Sequence, residues 1–178
     1  SVVHISNALG TINPVADIVR LAREAGAAVL IDGAQSAPHA RVDLQAIDCD
    51  FFVCSGHKML GPTGASILYG KEAWLDRMPP WMGGGDMVEH VSFERSTWAR
   101  LPSKFEAGTP SIGDVVAYRH AFEYLEQVGL ENIAAHEHED RPVRHDQILL
   151  VLKRDLDRGL AEEQRVIANL DLHGHEAR

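Results

Sequence analysis

The chain has 178 residues, 26 acidic against 17 basic side chains and a net charge of −9. This balance argues against binding to nucleic acid or to an anionic membrane, because both require a cationic surface. At 45% hydrophobic and 24% charged, it has the composition of an ordinary globular protein, which excludes disordered and collagen-like architectures.

No apolar run approaches the ~20 residues of a membrane span, and no basic-then-apolar leader opens the sequence. The two thiols, Cys49 and Cys54, are too few for a disulfide framework. A cytoplasmic protein in a reducing compartment is the expectation.

Asn13-Pro14 reads as a helix start, with Asn as the N-cap. Val15, Ile18, Val19 and Ala22 then recur at helical spacing until Gly26, so a helix is predicted over 14–25. Ala27 to Ile31 is an unbroken apolar run, which suits a parallel strand covered on both faces and ending at the charge of Asp32. Phe51 to Cys54 predicts a second strand, stopping at Ser55-Gly56-His57-Lys58, and Ser66 to Tyr69 a third. Polar residues gather at strand exits, where open α/β sheets place their ligands.

A short helix is predicted near 71–77, followed by the Pro79-Pro80 break and by Gly83-Gly84-Gly85, a flexible or hairpin-forming insertion. Asp114 is expected to cap a helix in which Val115, Tyr118, Phe122, Leu125 and Val128 lie near one face, closed by Gly129. From His136 the character changes: residues 136–178 carry five of the ten histidines, ten acidic residues and seven basic ones. Two amphipathic helices, 148–156 and 160–170, are predicted there. His136, His138, His173 and His175 have no cysteine beside them, and the expectation is no metal site.

Asp32 and Lys58 are the pair with chemistry to offer. A desolvated lysine amine forms Schiff bases with aldehydes, and a buried carboxylate needs a cationic partner to stay ionised. Pyridoxal phosphate meets both needs, through its aldehyde and its ring nitrogen. A contact ion pair at an effective dielectric near 20 is worth roughly 4 kcal/mol, enough to hold a pyridinium protonated at neutral pH. Taken singly, Asp32 also fits a turn cap and Lys58 a solvated loop lysine.

Asp32-Gly33-Ala34-Gln35-Ser36 followed by Ser55-Gly56-His57-Lys58-Met59-Leu60-Gly61-Pro62-Thr63-Gly64 resembles the cofactor signature of the class V aminotransferase group of fold type I pyridoxal-phosphate enzymes. Within that group, Ser6 to Gly10, Asp48 to Phe52, Pro79-Pro80-Trp81, Gly83 to Gly85 and Phe105 to Pro110 resemble the SUF-type cysteine desulfurases. The resemblance implies an α/β fold, the later part of a fold type I large domain over 1–135, with a mainly parallel or mixed sheet and flanking helices. A helical tail follows over 136–178.

The implied activity is removal of sulfur from L-cysteine, giving alanine and an enzyme persulfide for iron–sulfur cluster assembly. By the same resemblance, Lys58 is the Schiff-base lysine, Asp32 the partner of the ring nitrogen and Gln35 a donor to the phenolic oxygen. Ser55 and His57 hold the phosphate, and Asn7 lies near the substrate. Thr109 reaches the phosphate of the neighbouring subunit, which implies a homodimer with sites at the interface. A sulfur-acceptor protein such as a SufE-like partner is also implied.

Gly61, Pro62 and Gly64 are expected to shape the turn after the lysine, through positive φ and close backbone approach. The family's ring-stacking histidine would precede residue 1, and its nucleophilic cysteine and carboxylate-gripping arginine have no counterpart in the sequence. Cys49 and Cys54 lie in the cofactor half and read as inert buried thiols. The abrupt change after about residue 139 suggests a shifted reading frame or a truncated gene. A related class V activity such as selenocysteine lyase, and a catalytically inactive fragment serving as an interaction module, are the alternative functions.

Overall fold

The computed structural model describes residues 1–139 of the chain. The predicted helices 148–156 and 160–170, and His173 and His175, lie outside the described residues. No described helix is long and apolar enough to cross a membrane.

A four-stranded sheet organises the fold, in the order β1 (Val2–Val3), β2 (Leu30–Asp32), β3 (Phe51–Ser55), β4 (Ser66–Gly70). The first three strands run parallel and β4 runs antiparallel to β3, so the sheet is mixed. α1 (Val15–Glu24) connects β1 to β2, and the short helices α2 (Ser36–His39) and α3 (Leu44–Ile47) connect β2 to β3. α4 (Glu72–Arg77) follows β4. A two-stranded hairpin, β5 (Val88–Val91) and β6 (Ser96–Trp98), then leads to α5 (Ile112–Val128) and α6 (Leu130–Glu139).

The core lies on one side of the sheet. Val15 and Val19 of α1, Ile31, Phe52 and Cys54 of the strands, and Tyr118, Ala121 and Leu125 of α5 form a single buried cluster. Burial alternates along β3, with Phe52 and Cys54 buried and their neighbours only half-buried. β2 alternates likewise, which corrects the expectation of a strand covered on both faces. An apolar run and a one-sided strand look alike when the outward positions are also aliphatic.

Helix starts differ from the sequence expectation. Pro14 occupies the cap position of α1, and the Asn13 amide instead donates to the Val3 carbonyl at 2.7 Å, tying the helix entry to β1. α5 begins at Ile112 behind Ser111, whose hydroxyl donates to Asp114 Oδ2 at 2.7 Å. Its buried stripe is Tyr118, Ala121 and Leu125, while Val115 is 55% exposed. Gly83 to Gly85 is tethered rather than free, because the Gly108 N–H donates to the Gly85 carbonyl at 2.9 Å.

A polar knot fastens the end of the sheet away from Asp32. The Asp50 carboxylate accepts the Val29 N–H at 2.8 Å and the Trp74 indole N–H at 2.9 Å, joining the entry to β2 with α4. Burial alone would raise the Asp50 pKa, but these two donors and the nearby Lys71 ammonium outweigh it and hold the carboxyl below its ordinary value. Asp48 is lowered as well, by hydrogen bonds from Lys71 and Arg23. A carboxyl with a depressed folded-state pKa contributes stability that is complete above the ordinary value near ~4 and lost as pH falls through the folded one. Asp50→Asn is therefore expected to lower unfolding stability by about 2 kcal/mol at pH 7 and by less at pH 3. Urea titrations at the two pH values check this.

Candidate functional site

The register of the sheet builds the site. Asp32 pairs with Val53, Val53 with Leu68 and Ser55 with Ser66, so these five side chains share the face opposite the core. Asp32 is the last residue of β2 and Ser55 the last of β3. Immediately after Ser55 the chain folds into a 3-10 turn, Gly56–Met59, which carries Lys58.

Asp32, Ser55 and Lys58 line one open cleft of about 500 Å³, together with Ala34, Ser66 and Leu68. Asp32 Oδ1 accepts the Ala34 N–H at 2.9 Å, closing a tight turn, and Asp32 makes no ion pair among the described residues. Lys58 makes no ion pair there either. The other described lysines are committed: Lys71 to Asp48 Oδ1 at 2.6 Å, and Lys104 to the Leu75 and Asp76 carbonyls at 2.9 and 3.0 Å.

The remaining predicted site residues do not line this cleft. Gln35 is half-buried at the start of α2, and His57 is exposed on the same 3-10 turn as Lys58. Asn7 is exposed in the turn after β1, and Thr109 is exposed in the segment before α5. Positive φ after the lysine falls on Leu60, at 60°, rather than on Gly61 or Gly64.

Three residues in or beside the site escaped the sequence reading. Ser66 and Leu68 reach the cleft only because β4 runs antiparallel to β3, a pairing no local signal specifies. His4 donates its backbone N–H to the Asp32 carbonyl at 2.9 Å, and its Nδ1 is buried with no partner among the described residues. Burial lowers the His4 pKa, which favours the neutral imidazole. Burial also pushes the Cys49 and Cys54 thiols up, away from the range of reactive thiolates.

The aminotransferase class-V family model matches residues 1–178. The chain belongs to the aminotransferase class-V family. A cysteine desulfurase of Cronobacter sakazakii is 54% identical over 138 residues, which is 77% of this chain and 34% of that protein. One of Haloferax volcanii is 47% identical over 183 residues, covering 99% of this chain and 42% of that protein. The crystal structure of the Escherichia coli cysteine desulfurase CsdA superposes with a TM-score of 0.71 at 42% identity, over 74% of this chain and 33% of that one.

The chain thus spans between a third and a half of the length of the curated relatives it matches. The family model and the Haloferax match both extend past residue 135, to which the sequence reading carried the resemblance. The fold is that of the fold type I pyridoxal-phosphate enzymes, as expected.

The donor set fits the family's cofactor. One cleft offers an amine with no ion pair among the described residues for an aldehyde, a carboxylate likewise without one there for a protonated ring nitrogen, and the Ser55 and Ser66 hydroxyls as phosphate donors.

Proposed function

We propose that the protein is a pyridoxal-phosphate-dependent cysteine desulfurase whose cofactor cleft is the one lined by Asp32, Ser55 and Lys58. The observation that carries the proposal is the convergence of these three side chains from the ends of two neighbouring strands and the turn that follows. When bound, the cofactor supplies an aldehyde for covalent capture of amines and a ring that stores the electrons of a substrate carbanion.

The chain's own residues do the rest. Lys58 would hold the cofactor through its amine and would carry a proton to and from the substrate Cα. Asp32 would pair with the ring nitrogen, its carboxylate oriented by the Ala34 N–H. The Ser55 hydroxyl donates to the phosphate. The roles proposed for Gln35 at the phenolic oxygen, His57 at the phosphate and Asn7 near the substrate rest on the family resemblance, because none of the three lines the cleft.

Thr109 is exposed and outside the cleft of its own chain, which supports its assignment to the phosphate of a second copy in a homodimer. L-cysteine would yield alanine, its sulfur leaving as a persulfide to a cysteine thiol that is neither Cys49 nor Cys54 and so comes from outside this sequence, and then to a SufE-like acceptor for iron–sulfur cluster assembly. The cysteine desulfurase names of the relatives support this substrate.

The test is spectroscopic and chemical. With pyridoxal phosphate the wild-type protein is expected to develop a visible absorption band that is lost in Lys58→Ala, and to release alanine from L-cysteine in the presence of a thiol reductant. A wild-type protein that stays colourless in excess cofactor contradicts the proposal.

A further inference from the structure

Lys58 sits in a turn that is short, tight and supported from below. The Gly61 N–H donates to the Gly56 carbonyl at 2.9 Å, and Leu60 between Met59 and Gly61 takes the left-handed conformation at φ 60°. A non-glycine residue holds that conformation at a steric cost, so neighbouring contacts must enforce it. Leu60 does not enforce it through its own side chain, which is 63% exposed.

Besides the backbone bonds of Gly56, one residue of α5 supplies side-chain contacts to this turn. Tyr118, 5% exposed, donates its hydroxyl to Met59 Sδ at 3.2 Å, and its ring lies so close to Gly61 that a Cβ there would meet Tyr118 Cδ2 at 2.5 Å. Its other side stacks on Phe122, with centroids 4.5 Å apart, which fixes the ring. Tyr118 thus touches the residues on both sides of Leu60, and one of these, Met59, is the direct neighbour of Lys58.

A thioether is a weak acceptor, and the tyrosine hydroxyl gives up water to reach it. In stability the hydroxyl gains little over a phenylalanine of the same shape, so its contribution is to geometry. We propose that Tyr118 is a positioning residue for Lys58, clamping the 3-10 turn through Met59 and Gly61 so that the lysine amine enters the cleft beside Asp32. The proposal deepens the cofactor reading of Lys58 and rests on it.

The test uses the full chain as wild type, Tyr118→Phe, Met59→Leu and the double variant. Each is incubated with pyridoxal phosphate, reduced with borohydride, and digested for mass spectrometry, with labelling of Lys58 normalised to Lys104. Each single variant is expected to lower the Lys58 to Lys104 ratio about fivefold, and the double variant no further, because both substitutions break one contact. Thermal midpoints should stay close to that of the wild type. Ratios within about twofold of wild type in both single variants overturn the proposal.

Hydrogen exchange at the Gly61 amide reads the clamp without any cofactor. It should accelerate about fivefold in Tyr118→Phe, and an unchanged rate overturns the proposal. A wild-type ratio near one contradicts the cofactor reading of Lys58 instead, and the exchange rate then decides the clamp by itself.

Discussion

Gly56→Ala is expected to lower unfolding stability by about 3 kcal/mol and to abolish preferential modification of Lys58 by pyridoxal phosphate. Gly56 opens the turn that carries the lysine, and its N–H donates to the Ala65 carbonyl at 3.0 Å. A Cβ on Gly56 would lie 2.1 Å from that same carbonyl oxygen and 3.3 Å from the Pro62 oxygen. Both obstacles are backbone, so no side-chain rotation relieves the overlap. The turn must lift away from the start of β4, breaking the hydrogen bond that closes the β3–β4 connection and displacing Lys58 with it. Urea unfolding together with peptide mapping checks both parts. A stable variant with normal labelling would show that the close approach of the two segments is dispensable.

Asp32→Asn separates charge from shape. The amide oxygen can still accept the Ala34 N–H that Asp32 Oδ1 accepts at 2.9 Å, so the turn after β2 and the overall stability should be preserved. What is removed is the negative charge available to a protonated ring nitrogen. A contact ion pair at an effective dielectric of 20 is worth roughly 4 kcal/mol, and solvent in an open cleft screens part of it. Retention of pyridoxal phosphate is accordingly expected to weaken about 100-fold, with a thermal midpoint near that of the wild type. Titration of the visible band measures the first quantity and thermal unfolding the second. Equal affinity in the two proteins would mean that the carboxylate does not face the ring.

The parts of the fold legible in the sequence were those set by local periodicity. α1, α4, β3 and β4 fall within a residue or two of their expected places because each is bounded by glycine, proline or a polar cluster. Asn13 misled at the start of α1 because its amide found a better acceptor across the sheet, in Val3. The direction of β4, and with it the presence of Ser66 and Leu68 in the cleft, depends on pairing rather than on composition. The short helices α2 and α3 are held at their ends by contacts that no hydrophobic period announces, such as the Asp43 carboxylate accepting the Gln45 and Ala46 N–H groups.

Of the candidate site, Asp32, Ser55 and Lys58 were legible because each sits at or just past the end of an apolar run. His57 belongs to the same strand-exit segment but does not line the cleft, while Gln35, Asn7 and Thr109 were named from resemblance alone and also lie outside it. Tyr118 was seen only as a core residue of a helix. Its contacts with Met59 and Gly61 join segments nearly sixty positions apart, and no local pattern encodes them.

The central claim is that the Lys58 amine, alone among the described lysines, faces a cleft built for pyridoxal phosphate. Reductive trapping tests it most directly: the wild-type chain is incubated with limiting pyridoxal phosphate, treated with borohydride and mapped by mass spectrometry. The label is expected on Lys58 in large excess over Lys71 and Lys104, whose ammonium groups are bound to Asp48 and to the end of α4. Labels spread evenly over the three lysines, or concentrated on either of the other two, would contradict the account.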